Sequence, residues 1–200
     1  MGNYYIMTLR GDYMKKILLI LFTSLFFFGC AQETQENNTE SENPKIIVSE
    51  TNLDGSTYEI RVTDETSGDI SQTGVTYTFT ATDGRKLGFA IVKQNSKNGS
   101  IYKAIIMAQR ESAEFSTNFW SSYQINIGNS NINLNQAIST PLAENGKYQF
   151  LITGGLDTTD ITKLMNATLI TVGLLNTDNP QVNTILVLPP KFQLAILEYL

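Results

Sequence analysis

Polar and apolar residues alternate along most of the chain after position 44, a pattern typical of β-strands with one buried face. In the segment 57–63, for example, Tyr58, Ile60 and Val62 fall on one face. Many short strands at a spacing of roughly ten residues favour a β-sandwich or a strongly bent sheet. The predicted strands are 45–50, 57–63, 76–82, 87–94, 100–109, 123–127, 147–153, 168–175 and 182–188.

The pairs Asp83-Gly84, Asn98-Gly99 and Asn145-Gly146 lie between these segments. Such pairs favour tight type I′ turns, in which both central residues need a positive φ. The first two pairs therefore predict a three-stranded antiparallel meander over residues 76–109. The third pair predicts a hairpin over residues 137–153.

Two segments near the end of the sequence have helical spacing. Asp157 can cap a short helix over about 158–166, and Pro189-Pro190 can open a second helix. The apolar residues are Ile161, Leu164 and Met165 in the first, and Phe192, Ala195, Ile196, Tyr199 and Leu200 in the second. We therefore expect a mainly β, antiparallel sandwich or strongly bent sheet with one short helix and a C-terminal amphipathic helix. An α+β fold is the alternative.

Residues 14–30 have the order of a secretory signal. Lys15 and Lys16 precede the apolar run 17–28, whose 12 residues are too few to cross a ~30 Å hydrocarbon core. Gly29 and then Cys30, the only cysteine, close the run. This ending resembles the lipobox of bacterial lipoproteins, although Phe27 stands where leucine is usual. The resemblance implies cleavage between Gly29 and Cys30 and lipidation of Cys30. The alternatives are a buried apolar helix or an ordinary signal peptide.

The sequence divides into four parts on this interpretation. Residues 1–13 precede Met14, a better start for a signal peptide, and are interpreted as a mis-assigned start. Residues 14–29 form the signal peptide, and residues 30–44 form the lipidated cysteine with an acidic tether. The tether contains four Glu and no large apolar residue, so we expect disorder there. Residues 45–200 form the β-rich domain.

Composition excludes several classes of protein. The chain has no His and one Cys, so it has no Ser-His-Asp triad and no imidazole or paired-thiolate metal site. The net charge of −5 argues against a nucleic-acid partner. We expect no cofactor and no enzymatic activity, with a hydrolase that uses carboxylates as the less favoured alternative.

Two groups of residues are candidate sites. The polar stretch 111–123 contains Phe115, Phe119, Trp120 and Tyr123, aromatic residues of the kind on which sugars and protein ligands stack. The alternative is that these rings pack on the core. Asp64, Glu65 and Asp69 resemble an acidic loop that could hold Ca²⁺, although the spacing does not match an EF-hand and acidic surface turns are common.

The sequence therefore predicts a lipid-anchored protein of the bacterial cell envelope with a β-rich binding domain. Its partners are the membrane, through the lipid, and a protein or glycan. Ala31 favours the outer membrane, because lipoproteins retained at the inner membrane often carry Asp there; the sequence does not say which face. A structural component of an envelope assembly is the alternative function.

Overall fold

The computed structural model describes residues 40–41, 44–111, 122–144, 147–176 and 183–200, all within one compact unit. These residues form twelve strands and two helices. The first six strands are β1 Glu40–Ser41, β2 Lys45–Thr51, β3 Thr57–Ser67, β4 Ile70–Thr80, β5 Lys86–Ser96 and β6 Gly99–Glu111. The others are β7 Ser122–Ile127, β8 Ser130–Ile132, β9 Asn135–Glu144, β10 Lys147–Leu156, β11 Ile170–Leu175 and β12 Thr184–Leu188. The helices are α1 Thr158–Asn166 and α2 Pro190–Tyr199.

The strands form two antiparallel sheets, which confirms a mainly β fold. The large sheet has the order β1-β3-β4-β5-β6-β10-β9, and β2 also pairs with β3. The small sheet has the order β12-β11-β7-β8. The predicted meander is confirmed as β4, β5 and β6, and the predicted second hairpin as β9 and β10.

One apolar cluster joins the two sheets and the two helices. Alternate residues of the large sheet, such as Ile60, Phe89 and Ile106, contribute from one face, and Ile125 and Ile170 contribute from the small sheet. Burial of alternate residues is what the period of a strand with one core-facing side requires. The small sheet and the helices therefore make a second layer over one face of the large sheet.

The centre of the large sheet is buried on its other face as well. Ala90, Val92, Ile105 and Met107 are each less than 9% exposed, and they alternate with the core residues along β5 and β6. Strands buried on both faces have continuous apolar runs rather than a clean alternation. This explains why residues 104–108 read Ala-Ile-Ile-Met-Ala.

The hairpin turns differ from the predicted type. Gly84 has φ +82° and Gly99 has φ +114°, whereas Gln136 is the only described non-glycine residue with a positive φ. Asp83 and Asn98 therefore do not adopt the conformation that a type I′ turn requires, and that part of the prediction was wrong. The Ala81 N–H instead donates to the Arg85 carbonyl across a three-residue loop with glycine at the left-handed position.

The chain crosses from the small sheet to the large sheet at Leu134. A Cβ atom added to Gly154 of β10 would lie 2.5 Å from the Leu134 Cβ, so only glycine lets the two backbones approach this closely. The pairing of β10 with β9 also shifts register between Thr153 and Gly155. The Gly154-Gly155 pair thus accommodates the corner where the chain changes sheet.

Several element bounds extend beyond the prediction. Strands β3 and β4 continue as far as Ser67 and Ile70, making one long hairpin. Glu40–Ser41, inside the predicted tether, pairs with Thr66 and Glu65 of β3. The predicted helices are confirmed at Thr158–Asn166 and Pro190–Tyr199. The signal segment and the Asn145-Gly146 turn lie outside the described residues.

Candidate functional site

The predicted aromatic site is described only at Tyr123, because Phe115, Phe119 and Trp120 lie outside the described residues. Tyr123 is half-buried in β7, and its ring packs against the core cluster. Its hydroxyl accepts a hydrogen bond from the backbone N–H of Leu134 at 3.2 Å. Tyr123 therefore fastens β7 to the corner between the sheets, as the core-packing alternative predicts.

Of the acidic residues around Gly68, Asp69 lies in the turn between β3 and β4, whereas Asp64 and Glu65 do not. Asp64 and Glu65 are consecutive residues of β3, so their side chains point to opposite faces. Asp64 accepts a hydrogen bond from the Thr73 hydroxyl at 2.6 Å, and Asp69 lies 2.7 Å from the Lys97 ammonium. No group of three or more His, Cys, Asp or Glu side chains in the described ranges could hold a metal ion. The structure thus gives the Ca²⁺ candidate no support, and the placement of Asp64 and Glu65 in a loop was wrong.

A cluster of three polar residues, Glu50, Tyr58 and Lys191, fastens the start of α2 to β2 and β3. The Glu50 carboxylate accepts hydrogen bonds from the Tyr58 hydroxyl and the Lys191 ammonium. The Lys191 hydrogen bond, followed by that from Tyr58, lowers the pKa of Glu50. The same carboxylate raises the pKa of both Tyr58 and Lys191. Because hydrogen bonds link the three groups, this Glu50 cluster stabilises the packing of α2 rather than forming a catalytic arrangement.

Two further lysines donate hydrogen bonds to the C-terminal end of α2. The Lys45 ammonium donates to the Tyr199 hydroxyl at 3.2 Å and lies 5.4 Å from the centre of that ring. The Lys93 ammonium donates to the backbone carbonyl of Leu200 at 2.6 Å. Positive charge at the C-terminal end of a helix complements the helix dipole. Strand β2 therefore contacts α2 at both ends, through Glu50 and through Lys45.

The inner side of α2 is packed among aromatic rings. The Phe192 ring lies 6.2 Å from that of Tyr77 in an edge-on arrangement and 5.9 Å from that of Phe89. Phe192 and Phe89 are fully buried. Burial raises the pKa of Tyr77 to about 12, since the phenolate would be poorly solvated there.

A row of polar side chains crosses the other face of the large sheet. The Lys103 ammonium donates to the Gln94 side-chain carbonyl at 3.2 Å, and burial lowers the pKa of Lys103. Gln72 lies beside Gln94 in the register of β4 and β5. Its Oε1 atom is buried and has no hydrogen-bond partner within the described residues.

Large apolar side chains are exposed on the outer surface of the second layer. They belong to the entry into β11, to β12 and to α2, and we call them the outer patch. Its members are Leu169, Ile185, Val187, Leu194 and Leu197, which are 48–65% exposed. The apolar spacing that predicts each element marks only its buried stripe, so this outer surface is not evident from the sequence pattern.

A shallow open depression lies along α1, lined by Thr158, Thr159, Thr162, Lys163 and Asn166. Thr162 and Asn166 are already committed to the helix, because their side chains donate to the carbonyls of Thr158 and Thr162. Lys163 lies 3.2 Å from Asp160. Since these groups bond within the helix, the depression offers little for substrate chemistry.

Comparison with known protein families, curated proteins and solved structures gave no match. In the part of the chain that the structure describes, neither helix is long and apolar enough to cross a membrane.

Proposed function

We propose that the protein is a lipid-anchored component of the bacterial cell envelope whose β-rich domain is a binding module. The position of Cys30 is the main support for a lipid anchor. This residue is the only cysteine of the chain, and it directly follows a basic pair, a run of 12 residues of which ten are apolar, and a glycine. Stable anchoring needs more than one acyl chain, which lipoprotein maturation would supply on this residue.

The outer patch supports a binding role for the domain. The largest exposed apolar patch of a monomeric protein, typically about 300–600 Å², often has a function, whereas isolated exposed apolar residues are normal. The carboxylates that a hydrolase would need are largely engaged: Glu50 contacts Lys191, and Asp160 contacts Lys163. A binding surface is therefore better supported than a catalytic site.

Detergent phase partitioning of the full chain, expressed in bacteria, tests the anchor. We expect the unaltered protein in the detergent phase and Cys30→Ala in the aqueous phase. Ala31→Ser is the matched control, and it should partition like the unaltered protein. Mass spectrometry should find an acylated peptide that begins at Cys30. A Cys30→Ala variant that stays in the detergent phase would reject the proposal.

The outer patch also favours the alternative of a structural component in an envelope assembly. A photo-crosslinker placed at position 185 should then capture one protein in stoichiometric amounts, and the same probe at position 138 should not. Ile138 is similarly exposed but points away from the second layer. Absence of a stoichiometric product at position 185 would argue against this alternative.

A further inference from the structure

Helix α2 is apolar on two opposite sides. Phe192, Ala195 and Ile196 are buried against the core, whereas Leu194 and Leu197 point outward and are 62% and 56% exposed. A surface helix of a globular domain has one apolar stripe and a polar opposite face. The second stripe is therefore unexplained by the packing of the domain itself.

Strand β12, which precedes α2, has the same property. Its residues Leu186 and Leu188 are buried, while Ile185 and Val187 are 65% and 56% exposed on the other face. The strand carries no charged residue. Only Pro189 separates β12 from α2, and both elements bury their inner side chains in the same core cluster. Their outward side chains therefore face away from the large sheet on the same side of the domain.

The predicted tether joins the domain beside β3, where Glu40–Ser41 pairs with Thr66 and Glu65. Lys45, the first residue after the tether, contacts Tyr199 of α2, and Glu50 of the same strand contacts Lys191. The nine residues 31–39 that precede this pairing would span roughly 17 Å if they followed random-coil statistics. A domain of this size has a radius of gyration of roughly 15 Å. The tether is therefore short enough to hold this side of the domain close to an anchoring membrane.

We propose that the outer patch rests on the lipid surface in which the chain is anchored. The inference depends on the proposed function, because the anchor supplies the high local concentration that a weak contact needs. The flanking side chains suit a membrane interface. Lys45 and Lys191 carry apolar stems with charged ends, and Tyr199 is amphipathic.

The size of the patch favours a lipid surface over a second copy of the chain. Five aliphatic side chains at this exposure amount to roughly a few hundred Å². A stable protein interface buries about 800 Å² on each partner. The patch alone is too small for a stable dimer, whereas an anchored domain needs only a small further contact. The four Glu of the tether oppose docking on anionic lipid, so neutral lipid should strengthen it.

Depth-dependent fluorescence quenching tests the proposal on the full acylated protein. Leu197→Cys adds one free thiol, since acylation occupies Cys30, and this thiol takes an environment-sensitive dye. The protein is reconstituted in neutral phosphatidylethanolamine–phosphatidylcholine vesicles that contain nitroxide lipids. We expect strong quenching of the dye at position 197. The matched control, Ile138→Cys, carries the dye on the opposite side of the domain and should not be quenched.

Each outcome has a distinct meaning. Vesicle flotation without quenching at position 197 would leave the anchor intact and overturn the docking. Failure to float, with dye also found on Cys30, would instead overturn the proposed function. Crosslinking between two copies through position 197 would overturn the lipid proposal in favour of a dimer. Ile185→Gln with Leu194→Gln should lower the ratio of docked to undocked domain about tenfold or more, and thermal melts would confirm that this variant is folded.

Discussion

The two helices are held in different ways, although each buries one side in the same core. Asp157 is the N-cap of helix α1, and its side chain accepts a hydrogen bond from the Asp160 N–H at 2.8 Å. Its outer side is polar and bonds within the helix. Helix α2 begins at Pro189-Pro190 with no side-chain cap from the described residues, and its outer side carries leucines. Both helices bury apolar residues in the core, but within the described residues only α1 also has a side-chain cap at its start.

The contact between the helices shows the same difference. The Gln193 side chain donates to the backbone carbonyls of Leu164 and Ala167, at the end of α1. Helix α1 thereby gains partners for carbonyls that a helix end leaves open. For α2, the same hydrogen bonds fix its position against α1 but do not stabilise its own helical turns. A helix of ten residues is marginal in isolation, so α2 depends on its tertiary contacts.

The largest expected effect is on the inner side of α2. Phe192→Ala should lower the free energy of unfolding by about 3–5 kcal/mol, because it removes a fully buried ring from between Tyr77 and Phe89. Chemical denaturation measures this change. Phe192→Leu is the control and should lose less, because it keeps much of the buried volume. A small effect of the alanine variant would show that α2 is not part of the core.

A smaller loss is expected at the start of α1. Asp157→Ala should lower the free energy of unfolding by about 1 kcal/mol, because the Asp160 N–H loses its cap. Asp157→Asn keeps an acceptor and serves as the control in the same denaturation experiment. Equal losses for both substitutions would assign the effect to the charge rather than to the cap.

The Glu50 cluster should make stability depend on pH. Since the pKa of Glu50 is lowered in the folded protein, its contribution is present above the ordinary pKa of 4.5 and is lost as the pH falls through the folded value. Thermal melts should therefore show a steeper acid decline for the unaltered protein than for Glu50→Gln. Lys191→Met removes the main partner and should flatten the same decline. Parallel acid profiles for all three proteins would contradict this role.

The smallest effect is expected on the outer side of α2. Leu194→Gln should change the free energy of unfolding by no more than about 0.5 kcal/mol, because the side chain is 62% exposed and both residues are good helix formers. Denaturation in solution measures it. A loss well above 1 kcal/mol would mean that Leu194 packs within the domain, and the outer patch would then lose a member.

The sequence predicts the elements better than their contacts. Alternation gives the strands, and the spacing of Ile161 and Leu164 gives α1, because both signals are local. The turn type at Asp83-Gly84 failed because a glycine in the left-handed conformation fits a three-residue loop as well. Asp64 was misassigned because polar residues also extend a hairpin beyond the core.

The candidate site depends on contacts that no local pattern contains. Lys191 meets Glu50 across 141 positions of the sequence, so their pairing follows from the sheet order rather than from spacing. The outward residues Leu194 and Leu197 were visible as apolar positions. Whether they are buried or exposed depends on which side of α2 packs on the core. The structure shows that Phe192 and Ile196 lie on the buried side.

The contact of Lys93 with Leu200 joins residues 107 positions apart. Strands β3 to β5 therefore stay incompletely covered until α2 has been synthesised and has reached them. Folding that waits for such distant contacts is slow, on the order of milliseconds to seconds for β-rich topologies. This order of contacts is compatible with export of the chain before it folds, which the proposed anchoring would require.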